Sequence, residues 1–469
     1  MSERSSRLST SIIRILDYVS VATLLLSFTI LITGGFRESV PWGRISMTSW
    51  VRPFIIALLA MAIRHWLQPR PTIVSRVAAA IRRLRQAEGV REAIPITLST
   101  RAFVLVAGIL AVALLGFRSE AGPPWRVHEN EFLNLPARWD TGWYLGIAAE
   151  GYRWQPSRAE VQQNIAFFPA YPMLMRYVAL FLGRELLWTG VLISWVSFFW
   201  ALVYMYRFTR ARFDDESGRA AITLIACYPF ALFFSTAYTE ALFLLCLVGA
   251  CYHFERDEMW KAGAWGLLAG LSRPNGCLLS VVLALIAVRP LWPLDAAWLG
   301  SQWTTLARRM AVAALPGVGM LMYSAYMYTL TGNALQWTTQ NAAWGRVYRG
   351  LDTLVVGNAE VINQAMFTFA AGPTVDALQL AAVILVLVTV WPVFRRLGLA
   401  YAVMILINIV PPLLMGGLLS MGRVTSVLFP AFVWLGTRIP ANQRSAWYIG
   451  MAMLQAICAA TFFTWRPLF

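Results

Sequence analysis

The sequence predicts an all-α polytopic integral membrane protein with about 11–13 transmembrane helices, and three observations carry that prediction. Of 469 residues 58% are hydrophobic and only 13% charged, about half the charged share of a soluble chain. The mean hydropathy is +0.59. The few charges gather between long charge-free runs, mostly as arginine, since Lys261 is the one lysine among 39 basic residues. A formal charge of +16 invites a nucleic-acid reading, but basic residues at the ends of apolar runs are topology signals, so no nucleic-acid partner is expected.

A spanning helix needs about 20 mostly apolar residues because hydrocarbon leaves no partner for an unpaired backbone group. That criterion places spans near 16–36, 45–65, 101–118, 186–206, 219–238, 240–255, 310–330, 376–394, 398–419, 424–437 and 446–464. The first, behind Arg4, Arg7 and Arg14, is too long for a signal-peptide core and lacks an A-x-A cleavage site, so it reads as a retained span. Residues 261–289 contain Ser272-Arg273-Pro274-Asn275-Gly276, a charged helix breaker, and read either as a broken helix or as a tight hairpin. Residues 1–100 form a pair of helices with a basic loop, and 101–469 the remaining module.

The densest basic loop, Arg64 to Arg101, is assigned to the cytoplasm by the positive-inside rule. The next long loop, 119–166, then lies outside, and Phe167 to Leu182 reads as a short helix at the outer interface. The count leaves 331–375 outside as well. No internal repeat of the kind seen in secondary transporters is visible. The five cysteines and three histidines have no metal-ligand or disulfide-framework spacing, so neither a metal nor another cofactor is expected.

Several residues are costly enough in this setting to need a reason. Arg138-Trp139-Asp140 sits among aromatics in the outer loop. It reads either as an interfacial belt in which Arg138 pairs Asp140, or as a general base, since a carboxylate held ionised by a nearby cation can take a proton from a hydroxyl. Asn164 to Pro172, an aromatic stretch with Phe168 and Tyr171 and two prolines three apart, holds the backbone off a regular helix and suits a groove wall. Glu240 interrupts a long charge-free run, and a carboxylate at bilayer depth costs about 2.5–3.5 kcal/mol, so it marks a function, a cap or a buried pair. Arg273, with Asn275 beside it, Arg346 after Trp344, and Arg423 in Ser420-Met421-Gly422-Arg423 adjoin apolar runs. Singly they read as snorkelling residues; together they suit a phosphate, for which the guanidinium fork is shaped. There is no GxxxxGK[ST] loop, GxGxxG, HExxH or D-x-D pair, which argues against soluble nucleotide donors.

Arg138-Trp139-Asp140, then Tyr144-Leu145-x-Ile147-Ala148-x-x-Gly151-Tyr152 and Asn164-x-Ala166-Phe167-Phe168-Pro169-x-Tyr171-Pro172, closely resemble the GPI mannosyltransferase II (PIG-V) family. The resemblance continues through Phe234 to Phe243, Gly270 to Gly276 and, more weakly, Ser420 to Arg423, covering roughly 100–435. It implies the fold of the GT-C membrane glycosyltransferases, with interfacial helices in the first long outer loop. It implies a polyprenyl phosphate-mannose donor, a glycan, glycolipid or protein acceptor on the non-cytoplasmic face, and inversion at the anomeric carbon. Asp140 takes the role of base, with Arg138, Trp139, Asn164, Phe168, Tyr171, Glu240, Asn275 and Trp344 around the substrate. Arg423, Arg346 and Arg273, in that order, hold the phosphate. Pro274 departs from the serine usual in eukaryotic members, and the arginine bias points to a GC-rich bacterial genome and an inner-membrane location. The reading from another class is a transporter or flippase of a lipid-linked or anionic substrate, with Glu240 and the arginines along its path.

Overall fold

The computed structural model describes residues 2–40, 43–117, 125–289, 296–346, 348 and 374–468, the side chains of 2–10, 39–40, 296–302 and 374–375 excepted. Much of the expected outer loop 331–375 and the start of 119–166 therefore lie outside the described residues.

Apolar runs became helices nearly everywhere. In order they are α1 (Ser2–Thr33), α2 (Val51–Leu67), α3 (Ile73–Gln86), α4 (Val90–Leu115), α5 (Thr141–Glu150), α6 (Ala170–Ala179), α7 (Leu186–Arg210) and α8 (Asp215–Cys227). There follow α9 (Glu240–Glu255), α10 (Met259–Ser272), α11 (Leu279–Val288), α12 (Ala296–Thr331) and the single turn α13 (Gln336–Thr339). Last come α14 (Thr374–Leu387), α15 (Val390–Leu397), α16 (Leu399–Gly416), α17 (Met421–Ser426), α18 (Phe429–Arg438) and α19 (Ala441–Phe463). Seven of the described helices are long and apolar enough to cross a membrane, or eight if the bent pair at 215–235 is one span. The other expected spans, 45–65, 240–255 and 424–437, are occupied by shorter helices: α2, α9, and the pair α17 and α18.

Some boundaries differ from expectation. The second span begins at Val51 rather than near 45, because Phe36–Val40 and Gly43–Met47 pair as an antiparallel hairpin with Phe36 opposite Met47. Glu38 of that hairpin accepts from Arg176 Nε of α6 at 2.9 Å. The helix expected at 101–118 starts at Val90, so residue 100, taken as a division of the chain, lies inside α4. The stretch 219–238 is not one helix. After Tyr228 the backbone turns by 81° into the 3-10 segment Pro229–Ser235.

Such a break frees carbonyls that lipid cannot satisfy. Buried Arg101 of α4 answers Ala226 O at 2.8 Å, Ala231 O, and Ser235 Oγ at 2.9 Å. Gln455 of α19 answers Tyr228 O at 2.9 Å. The stretch 261–289 is a broken helix, with α10 and α11 separated by the 3-10 turn Pro274–Leu278.

The core surrounds α9, whose residues are buried on nearly every face, as expected of a central helix with no polar side. Beside it α10 and α12 approach through glycines: a Cβ on Gly270 would stand 1.9 Å from Pro316 O, and one on Gly319 3.1 Å from Gly270 Cα. Small residues that let backbones touch are how helices pack where water supplies no driving force. The short helix expected between 167 and 182 is α6.

Candidate functional site

The chain entering α5 is pegged from both sides. Arg138, fully buried, donates to Phe463 O at 2.8 Å, Asn134 O at 2.9 Å and Ala137 O at 3.1 Å, and pairs with Glu131 at 2.9 Å. Burial lowers its pKa while the contact with Glu131 opposes that. The next residue, Trp139, has φ +51, a left-handed conformation that a bulky side chain adopts only when its surroundings impose it. The hydroxyl of buried Tyr238 spans the turn: it accepts from Asp140 N–H at 3.0 Å and donates to Arg138 O at 3.4 Å. Asp140 thus opens α5 without capping it, and its carboxylate points to another partner.

That partner is Arg423. Its Nη1 meets Asp140 Oδ2 at 2.7 Å and its Nε meets Glu240 Oε1 at 2.8 Å. The same Glu240 oxygen accepts from Arg273 Nη1 at 2.7 Å. Glu240 is wholly buried at the start of α9, and its Oε2 has no hydrogen-bond partner among the described residues. Arg423 stands in the first turn of α17, entered through Ser420 at φ +60. Two carboxylates and two guanidiniums therefore form one chain of contacts, Asp140 to Arg423 to Glu240 to Arg273. The Asp140 side chain is 15% exposed and that of Arg273 18%, while Arg423 is 10% exposed and Glu240 not at all. Asp140 and Arg273 are the ends that open outward.

They open onto a cavity of about 750 Å³. One wall is aromatic: Trp143 stacks on Phe167 at 5.8 Å, and Trp344 meets the same ring edge-on at 5.3 Å. Arg346 also lines the cavity and has no carboxylate partner among the described residues. Burial, together with the charges of Arg423 and Arg273, pushes its pKa down to about 10. Among the described residues three guanidiniums face two carboxylates here, so a bound anion would be welcome and Arg346 is the group left to meet it.

Of the residues singled out in the sequence, Trp139, Asp140, Phe168, Arg273, Asn275, Trp344, Arg346 and Arg423 line this cavity. Glu240 lies behind its wall. Three do not line it. Arg138 is the peg just described, pairing Glu131 and not Asp140, which disposes of the simple belt reading. Asn164 ties its own loop, donating to Gly151 O and accepting from Arg153 N–H, both at 3.1 Å. Tyr171 holds α6 on α7, donating to Gly190 O at 2.8 Å, and lies edge-on to Tyr144.

Sequence reasoning gave no role to Tyr238, to Asn408, which accepts from Asn275 Nδ2 at 2.8 Å, or to Trp465 at the cavity rim. Asn408 is a lone amide in the apolar run of α16 and carried a signal of the kind that marked Glu240. Trp465 lies 326 positions beyond Trp139 and carried none. Among the described residues no group of three His, Cys, Asp or Glu could hold a metal ion.

Residues 111–329 match the family model described as Mannosyltransferase (PIG-V). The chain is 28% identical over 208 residues to GPI mannosyltransferase 2 of Drosophila pseudoobscura pseudoobscura, covering 41% of this chain and 44% of the relative. It is 24% identical over 156 residues to GPI mannosyltransferase 2 of Schizosaccharomyces pombe, covering 32% of each. The matches thus span less than half the length of these curated relatives. Among solved structures, the apo oligosaccharyltransferase of Archaeoglobus fulgidus aligns over 78% of this chain and 56% of its own at 14% identity, with a TM-score of 0.40. Its complex with an inhibitory peptide and a dolichol-phosphate aligns at a TM-score of 0.35. The likeness read from the motifs holds, and the family block contains Asp140, Tyr238, Glu240 and Arg273. It ends before Trp344, Arg346 and Arg423, which the fold supplies from beyond it.

Proposed function

We propose, from the PIG-V likeness of residues 111–329, that this chain is a membrane glycosyltransferase of the GT-C class. In this reading it transfers mannose from a polyprenyl phosphate donor to a hydroxyl acceptor, and Asp140 is the general base. The observation that carries it is the join between a partly open carboxylate and a surplus of arginine on one aromatic-lined cavity. A base beside a phosphate-holding cation is what transfer from a sugar phosphate needs; a transport path needs no base at the substrate.

The donor phosphate sits against Arg346 first. Arg423 and Arg273 are already engaged by Glu240 and reinforce it, which reverses the order of the first two arginines expected from sequence. The sugar ring lies among Trp143, Phe167 and Trp344, whose faces suit the C–H face of a hexose. The acceptor hydroxyl enters beside Asp140, gives its proton to the carboxylate, and attacks the anomeric carbon from the side opposite the phosphate. The bond to the phosphate oxygen breaks and its electron pair leaves on the polyprenyl phosphate, where the guanidiniums stabilise the charge. A β-linked donor then gives an α-linked product. Arg138 and Asn164 act as positioning residues for the Trp139 turn and the 151–164 loop. The positive-inside reading puts the cavity on the non-cytoplasmic face.

The test is transfer itself: membranes containing the protein are given radiolabelled polyprenyl phosphate mannose, and label is followed into lipid, glycan and protein. Transfer dependent on the protein supports the reading. Binding of the donor without transfer to any fraction, with mannose and with other polyprenyl phosphate sugars, would contradict it.

A further inference from the structure

A second polar cavity, of about 410 Å³, lies at the other end of the molecule. It forms where α7, α9, α11 and α15 end, lined by Arg212, Glu255, Arg256, Arg289 and Arg396 over the rings of Phe208 and Tyr252. Helix α9 joins the two cavities, with Glu240 at its first residue and Glu255 at its last. The fifteen steps between the ends of this 16-residue helix put them roughly 22 Å apart at the usual rise.

Among the described residues four arginines here face one carboxylate, and that carboxylate is spent. Glu255 pairs with Arg212 and accepts the Tyr401 hydroxyl at 2.7 Å. Arg212 is further occupied, lying 3.6 Å from the centre of the Phe208 ring and donating to Phe208 O at 3.1 Å. Arg256 reaches Glu258 only at 3.8 Å, and Glu258 is already bonded to His253 and Lys261. Arg289 and Arg396 have no carboxylate partner among the described residues. The glycine turn between α15 and α16 brings these two together: Gly398, at φ +103, lies under Arg289, where a Cβ would stand 3.8 Å from Cζ.

Arginines at helix ends are often there for the carbonyls and the dipole. That accounts for Arg212, whose guanidinium caps α7. It does not account for Arg256, Arg289 and Arg396, which among the described residues make no hydrogen bond to a helix-end carbonyl and surround a space large enough for an anion. We propose that this cavity is a second anion site, separate from the one at Asp140, which takes a phosphate group, carried on a lipid headgroup or free. The forked donors of several arginines around a concave space match phosphate oxygens, and the exposed heads of Arg289 and Arg396 leave it open to enter. The proposal does not depend on the reaction assigned to the first cavity.

The test uses the full-length protein and the double variant Arg289→Gln/Arg396→Gln. Arg395→Gln removes a neighbouring charge that is stacked near Trp391 and does not line the cavity. Arg346→Gln removes the cation of the first cavity that has no carboxylate partner among the described residues. Inorganic phosphate is titrated in detergent at constant ionic strength while thermal unfolding is followed, and native mass spectrometry counts lipids retained from phosphatidylcholine nanodiscs with and without phosphatidylglycerol. Saturable phosphate stabilisation in wild type, Arg395→Gln and Arg346→Gln, weakened about tenfold or more in the double variant, supports a free-phosphate site. Retained phosphatidylglycerol lost only in the double variant supports a headgroup site. The single variant Arg396→Gln answers the same question with an intermediate loss should the double variant fold poorly. Equal behaviour of the wild type and the double variant in both arms, or binding lost only in Arg346→Gln, would overturn the proposal.

Discussion

Arg423 holds two carboxylates at once, and the cost of losing it depends on what is left behind. Arg423→Gln leaves Glu240 buried with Arg273 as its one cation and the Asp140 carboxylate without its ion-pair partner, so stability should fall by about 3 kcal/mol. Adding Glu240→Gln should recover a good part of that in thermal unfolding while donor transfer stays lost, a coupling that a double-mutant cycle reads directly. Arg346→Gln should do the opposite. Nothing buried depends on it, so the melting temperature should hold while donor affinity falls about tenfold or more. Tyr238→Phe removes the hydroxyl that receives Asp140 N–H and reaches Arg138 O; turnover should drop with donor affinity nearly unchanged. Loss of donor binding to the same degree would remove Tyr238 as a positioning residue for the base. At this scale the sequence was informative where chemistry is expensive. A carboxylate or arginine against apolar neighbours announces itself, and eight of the twelve residues singled out line the cavity, with Glu240 just behind it. Arg138 stands outside the cavity although its charge is as costly, because backbone carbonyls and Glu131 absorb it. Which cation meets which anion was not legible, because Asp140 and Arg423 are 283 positions apart.

Elements were legible as apolar runs and illegible where they break. Tyr228-Pro229 sits inside a stretch that hydropathy reads as one span, yet the helix ends there and a 3-10 segment turns away by 81°. What permits the break is not local. Arg101 and Gln455, from α4 and α19, satisfy the freed carbonyls. Arg101→Leu should therefore destabilise the protein by about 2–4 kcal/mol, despite placing an apolar residue in an apolar environment, since Ala231 O and Ser235 Oγ lose the guanidinium and Ala226 O is left with the Gln455 amide at 3.2 Å. An unchanged melting temperature would show that the break is satisfied some other way. The pairing of 36–47 was equally invisible, because a five-residue strand pair with Arg37, Glu38, Arg44 and glycine reads as ordinary loop. By contrast the Ser272 to Gly276 breaker was plain in the sequence, and the helix is broken there. Gly270, two residues earlier, has no room for a side chain against Pro316 O. Gly270→Val should separate α10 from α12, costing about 1–3 kcal/mol or more, and should disturb Arg273 with it.

For the whole molecule, the arginines that the positive-inside rule counts and the arginines that line the site turn out to be different populations at different ends of α9. Composition could not separate them; only the path of the chain does. That path gives a prediction of sidedness. In a background with its native cysteines replaced, a cysteine at Glu160 should react with an impermeant maleimide from the non-cytoplasmic side and one at Arg395 only after the membrane is opened. The reverse pattern would put the Asp140 cavity in the cytoplasm and exclude a donor presented outside.

The central claim is that Asp140 takes the acceptor proton while the arginines hold the donor, and the Asp140→Asn variant separates those two roles. Asparagine keeps the size of the side chain and an acceptor for Arg423 but cannot take a proton at neutral pH. The measurement is donor affinity and transfer rate on the same purified variant, with polyprenyl phosphate mannose. The account predicts donor binding within about threefold of wild type and transfer reduced by about a thousandfold or more. Transfer by Asp140→Asn at a rate near that of the wild type would contradict it.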